Sequence, residues 1–294
     1  MNKIEKHKEL RSQNLRLTLV LAILFFVLVS LFNYYRESDA QTIKLCFFDV
    51  GQGDMEMIQT PGNKRIIIDG GPNESAISKI DKVVPFYDRK IDAIILTHPH
   101  ADHLVGLISL LKNYEVKSLY FTGVTHNTSE YLEFLKLVKE KNIEVHVVKS
   151  GDYIELDNNI RLSFLFPMKD ISDEKTDNLN DTSIVARLTW GEESALFMGD
   201  LESDGQDELL ESGKYVNSDL IKIAHHGSND SANQKFIDAV SPEIALISVG
   251  RDNKFGHPSQ ILLNLLNNVK IYRTDQDGDM EFDMSQNNIS YKTK

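Results

Sequence analysis

From Thr42 onward, short apolar runs alternate with amphipathic stretches. Runs bounded by turn residues read as strands: TIKLCFF over 42–48, EMIQT, RIIID, IDAIILT over 91–97, SLYF and EVHVV. Pro61-Gly62-Asn63 makes a tight turn into RIIID. Helical spacing covers residues 102–111 and 129–141. The second half repeats this style without repeating the sequence. SIVARLTW and SALFMGD are expected as paired strands, with a helix over 202–211. LIKIAHHGS is a strand running into a loop, QKFIDAV a helix, EIALISV a strand, and 261–266 a helix. IYRT and MEFDM close the chain as strands. Two comparable halves of strands punctuated by helices predict an α/β fold, a four-layer αβ/βα sandwich of two packed sheets. With no linker, repeat or low-complexity tract in the body, residues 41–294 read as one domain.

The N-terminal pattern is different. Residues 17–32 read LTLVLAILFFVLVSLF, and adding Asn33, Tyr34 and Tyr35 gives a segment 17–35 of about 28 Å as a helix. That matches a bilayer core of roughly 30 Å, with the tyrosines as interfacial anchors. Lys3, Lys6, Lys8, Arg11 and Arg16 precede the run and only Arg36 follows closely. The excess of cations before the span predicts a cytoplasmic tail over 1–16 and a body outside, on a single-pass protein of the cell membrane. The competing reading is a signal peptide cleaved after Ala40, at Ser38-Asp39-Ala40, which would yield a secreted domain.

Charge and cysteine content narrow the picture slightly. The chain carries 32 Lys/Arg and 44 Asp/Glu; residues 1–40 hold six and four of these, which leaves a net −14 on the rest. An acidic body argues against an extended track for duplex nucleic acid. Cys46, the one cysteine, forms no internal disulfide and sits in an apolar strand.

Candidate chemistry concentrates in His98-Pro99-His100-Ala101-Asp102-His103, between a strand and a helix. The loop aims His98 and His100 at one ion, while Asp102 and His103 on the first helical turn face a second. Imidazoles with a carboxylate suit zinc, manganese or iron. Asp200, at the strand end FMGD, is placed to bridge two ions, although such a residue is also a common helix cap. His225 and His226 end a buried strand beside a glycine, and His257 lies in GHP. His7, His126 and His146 have no such setting.

These residues resemble the dinuclear signature of the metallo-β-lactamase superfamily, and more closely the metallohydrolase domain of the DNA-uptake protein ComEC. The resemblance rests on Asp49-Val50-Gly51-Gln52-Gly53-Asp54, Ile68-Asp69-Gly70-Gly71, HPHADH and Asn180-Asp181-Thr182-Ser183. It continues through Met198-Gly199-Asp200, Ala224-His225-His226-Gly227-Ser228, Gly256-His257-Pro258 and Arg273-Thr274-Asp275. It implies a metallo-β-lactamase fold and two divalent metal ions, zinc or manganese. The ligands would be His98, His100, Asp102, His103, Asp200 and His225, with Asp200 shared. Asp69 would fix the tautomer of a ligating histidine. Asp102 counts as both ligand and catalytic carboxylate, and His226 or His257 would contact a substrate oxyanion or protonate the leaving group. Asp49 and Asp54 are expected to be structural. Many superfamily members place another histidine where this chain has Asn180-Asp181. Two readings stay open there: Asp181 as a ligand, or a first site of His98, His100, Asp200 and water.

The expected function is extracytoplasmic hydrolysis of a phosphodiester, with single-stranded DNA implied by the resemblance and the membrane as a partner through residues 17–35. Two alternatives stand beside it: a phosphodiesterase on a cell-wall or lipid headgroup, and a non-catalytic tethered binding protein for DNA uptake. AHHGS and GHP speak against a lactamase or lactonase.

Overall fold

A computed structural model describes residues 14–31, 42–157 and 159–292. Most of the expected tail, the anchors Tyr34 and Tyr35, and Ser38-Asp39-Ala40 lie outside the described residues. The chain divides into two compact units, one up to Thr42 and one from Ile43 to Lys294. In the first, helix α1 (Asn14–Leu31) has a mean hydropathy of 2.3 and no buried share, so by length and composition it is able to cross a membrane.

The second unit is built on two sheets. The first holds β1 (Ile43–Phe47), β2 (Glu56–Gln59), β3 (Arg65–Ile68), β4 (Lys90–Ile95), β5 (Glu115–Phe121) and β6 (Glu144–Val147). β14 (Met280–Met284) and β15 (Ile289–Tyr291) complete it, in the order β15-β14-β1-β2-β3-β4-β5-β6. The second sheet holds β7 (Tyr153–Asp157), β8 (Ile160–Phe166), β9 (Val185–Trp190) and β10 (Glu193–Phe197). It continues with β11 (Leu220–Lys222), β12 (Ile244–Ile247) and β13 (Lys270–Arg273), in the order β13-β12-β11-β10-β9-β8-β7. Helices α2 (Ser75–Val83), α3 (Ala101–Asn113) and α4 (Ser129–Glu140) cover the first sheet. Helices α5 (Ser203–Glu211), α6 (Gln234–Val240) and α7 (Gln260–Leu265) cover the second. A one-turn helix α8 (Thr274–Asp277) follows β13.

Strand alternation produces the four layers. Ile66 and Ile68 enter the core between the sheets, while Ile67 between them faces the helices. Phe47 likewise meets Phe197 of the opposite sheet at 6.1 Å, whereas its neighbour Cys46 lies in the helix layer. Burial on both faces explains why the central strands read as continuous apolar runs.

Several elements escape the apolar pattern. α2 packs Ala76, Ile77, Ile80 and Val83 on the core, a stripe confined to nine residues. β7 exposes Tyr153 and Glu155, and Arg161 and Ser163 interrupt the apolar run of β8. β15 is three residues at the sheet's edge.

The topology gathers strand ends. β3 and β4 are parallel, as are β10 to β13, so their C-terminal ends lie along one edge, where the loops carry the candidate ligands. Glycines let backbone from the two sides meet there. Gly70 N–H donates to His103 O at 2.7 Å, and Gly106 N–H to Gly71 O at 3.0 Å. A Cβ on Gly106 would fall on the carbonyl oxygen of Gly70. Gly106→Ala should therefore push α3 away from the β3 end and cost about 1–3 kcal/mol in denaturant unfolding; an unchanged midpoint would contradict this packing.

Candidate metal centre

His98 and His100 lie on the loop after β4, and Asp102 and His103 on the first turn of α3. Asp200 follows β10 and His226 follows β11, so the centre draws on both sheets. Three backbone positions here lie in the left-handed region: Asp69 (φ 55°), His225 (φ 45°) and His226 (φ 52°). Residues other than glycine hold such angles only when their surroundings over-determine them, and functional sites are where this is common.

Asp200 is the common point. Its buried Oδ2 stands 3.2 Å from His103 Nε2, 3.7 Å from His98 Nε2 and 3.8 Å from His226 Nε2. Its backbone N–H donates to Ser183 Oγ at 3.0 Å, which holds the strand end in place. Ligand atoms converge within 4.8 Å in two groups that share this region, His98 with His100 and Asp200, and Asp102 with His103 and His226. In the first, His98 Nε2 and His100 Nδ1 are 2.9 Å apart. In the second, His226 Nε2 lies 3.3 Å from Asp102 Oδ2. A third grouping adds Asp54 to His103 and Asp200. Asp54 is the weakest candidate ligand, because Lys222 Nζ already donates to it at 2.6 Å.

The side chains behind these residues fix their orientation. Asp69 Oδ2 accepts from His103 Nδ1 at 2.7 Å, and Thr97 donates to the same carboxylate through its N–H (2.8 Å) and hydroxyl (2.7 Å). His103 Nε2 is buried and faces Asp200 Oδ2 at 3.2 Å, the ring nitrogen that would meet a cation once its proton is displaced. His226 Nδ1 lies 3.0 Å from Ser248 O and 3.1 Å from Asp54 Oδ1, which turns Nε2 toward Asp102 and Asp200. Imidazole nitrogens and carboxylates arranged this way fit a first-row divalent metal.

The charges support the same geometry. Burial alone would lower His103 and His226, but Asp200 and Asp69 raise the first well above its ordinary value. Asp200 and Asp54 push the second up to about 10. Burial keeps His98 and His100 below theirs. Burial works against a charge on Asp200, yet His103 and His226 hold its carboxyl well below the carboxylate range. Histidines and carboxylates thus stand in for one another's missing counter-charge.

Two expected ligands sit elsewhere. His225 Nδ1 pairs with Glu202 Oε1 at 3.0 Å and its ring is partly exposed; His226, not His225, stands with Asp102 and His103. The left-handed turn at both residues sends successive rings in different directions. Asp181 turns away to accept from Asn178 Nδ2 at 2.7 Å, and belongs to none of the convergent groups among the described residues. Burial and nearby Glu202 raise its carboxyl. His257 stands at the rim, its ring 5.8 Å from that of His225. His146 stacks on Tyr120 and His126 lies beside Tyr131.

Lys222, Glu202, Thr97 and Ser248 join the site without any motif to mark them, and Asp54, expected to be structural, lies against His226. The available signal was Lys222, a lysine inside the apolar run LIKIA, which demands a buried counter-charge.

The profile of the metallo-beta-lactamase superfamily matches residues 49–251, and the chain belongs to that superfamily. It is similar to ComE operon protein 3 of Bacillus subtilis, at 30% identity over 253 residues, covering 80% of this chain and 32% of the relative. Competence protein ComA of Neisseria gonorrhoeae is 28% identical over 251 residues, covering 82% and 32%. The chain therefore spans about a third of the length of these curated relatives. Among solved structures, the metallo-beta-lactamase fold protein YhfI of Bacillus subtilis superposes with a TM-score of 0.55 at 13% identity, covering 81% of this chain and 99% of that one. The chain is thus a superfamily hydrolase related to competence proteins and similar to the ComEC-like group.

The Lys222–Asp54 pair is buried behind His226. Lys222→Met should cost about 3–5 kcal/mol by leaving Asp54 unpaired, and Lys222→Met with Asp54→Asn should cost less than the two singles added. Additive losses in chemical unfolding would show that the pair is not coupled.

Proposed function

We propose that this chain is a membrane-tethered phosphodiesterase with two divalent ions, zinc or manganese, and its domain on the outer side of the cell membrane. One observation carries the reading: the Asp200 carboxylate lies between two convergent ligand groups, as a shared ligand must. His98, His100 and Asp200 would hold one ion, and Asp102, His103, His226 and Asp200 the other. Bound ions would supply a water-derived nucleophile near neutral pH and neutralise the oxygens of the scissile group.

The chain's own residues do the rest. Asp69 holds His103 in the tautomer that presents Nε2, and Ser248 O does the same for His226. Asp181 is left out of the ligand set. His225, oriented by Glu202, and neighbouring His257 would contact substrate oxygens.

Relatives named for competence support a phosphodiester of DNA as substrate. The net −14 outside residues 1–40 favours a single strand threaded to the centre over a duplex lying on the surface. The same charge favours a second reading, a cell-wall or lipid headgroup phosphodiester, which needs no basic track. The run of cations before α1 supports the outward orientation of the domain.

The full chain, loaded with zinc or manganese, should be tested on a chromogenic phosphodiester, single- and double-stranded DNA, and a headgroup phosphodiester. His100→Ala and Asp102→Ala should each lose about a hundredfold or more in rate. Activity equal to the parent in either variant, or less than one equivalent of bound metal per chain, would overturn the proposal.

A further inference from the structure

Away from the metal centre, the domain presents an aromatic tip. Between α2 and β4 the chain runs Val84-Pro85-Phe86-Tyr87-Asp88-Arg89. Phe86 is 81% exposed and Tyr87 77%, more than any other aromatic among the described residues. Their rings meet edge to face at 5.5 Å. The tip is firmly held. Asp88 N–H donates to Pro85 O at 2.8 Å, and its carboxylate lies 2.8 Å from the guanidinium of buried Arg65. Arg89 bonds Asp81 and the Tyr114 hydroxyl and covers the Tyr114 ring. Rigid, neighbouring aromatics displayed to water mark an interaction surface.

The topology says where this surface lies. β1 pairs antiparallel with β2, β2 antiparallel with β3, and β3 parallel with β4, so β1, β3 and β4 run the same way. Lys44, Gln59 and Arg65 stand level, and Arg65 N–H donates to Asp92 Oδ2. Ile43, where the chain enters the domain, and Lys90 therefore share one edge of the sheet, three strand spacings or about 14 Å apart. His98 lies beyond the other end of β4, roughly 26 Å from Lys90 along the strand direction. Lys112 and Lys141 line a recess beside Tyr114 and Glu115, and Glu115 N–H donates to Arg89 O.

The occupant follows from the tether. Eleven residues separate Leu31 of the apolar helix from Ile43, a reach of at most about 40 Å. Given the membrane-span reading above, on which this inference rests, the edge that carries the tip stays within reach of the bilayer. We propose that Phe86 and Tyr87 dip into the headgroup layer of that membrane, with Lys90 and Lys141 against anionic lipid, so that the metal centre faces away from the bilayer. Tyr87, with an apolar ring and a polar hydroxyl, favours that layer, Phe86 adds apolar area, and nearby cations add electrostatic attraction.

The test uses the full chain in phosphatidylcholine–phosphatidylglycerol vesicles containing brominated lipid. A bimane label is placed at Phe86→Cys, at Tyr87→Cys and, as a control on the opposite edge, at Phe255→Cys; buried Cys46 stays unlabelled. Brominated lipid should remove fluorescence at 86 and 87 and leave 255 bright. No quenching at 86 and 87, or equal quenching at 255, overturns the proposal. Alkaline extraction of the same vesicles reports the span separately. A chain stripped by alkali overturns the span reading, while the labels on the vesicle-bound fraction still decide the tip.

Discussion

One buried carboxylate organises the domain's chemistry. Asp200 belongs to the second sheet, yet two of the three imidazoles around it, His98 and His103, come from the loop and helix that follow the first. A lone charge buried there would be strongly unfavourable, so the sheets come together at this edge only with the histidines in register. The same holds one step further back. Asp69 faces His103, Asp54 faces His226, and Lys222 closes the chain of alternating charges. A divalent pair would replace the protons of His103 and His226 as counter-charge to these carboxylates.

How much of this is legible in sequence depends on which force places each residue. The layered fold follows from apolar runs, because burial on both faces leaves little choice of residue along strands such as IDAIILT. α2 carries its stripe, Ala76, Ile77, Ile80 and Val83, on only nine residues, too short a run to stand out in sequence. HPHADH announces itself because four candidate ligands fall on one loop and one helical turn. His225 and His226 show the limit. Adjacent residues of the same type are distinguished only by backbone dihedrals, and two successive left-handed residues give the buried position to the second. Asp181 shows a related limit, since its side chain turns to Asn178 and joins none of the convergent groups among the described residues. Lys222 and Asp54 are 168 positions apart, and pairing at that distance is decided by topology alone.

The ligand loops at one edge and the chain's arrival at Ile43 on the other give the domain a polarity. Parallel strands produce it: β3 and β4 begin at the edge where the chain arrives and end at the loops that carry Asp69 and His98. The curated relatives are about three times as long as the part this chain matches, so the metallohydrolase unit recurs there within a larger protein. A short apolar helix precedes the unit here.

The central claim is that two ions share Asp200 and that His226 rather than His225 completes the second site. A crystal structure of the zinc-loaded protein, with ions located by anomalous scattering, tests it most directly. Two peaks are expected, one beside His98 and His100, the other beside Asp102, His103 and His226, each within bonding distance of Asp200. A single peak, or a second ion bound through His225, would contradict the account.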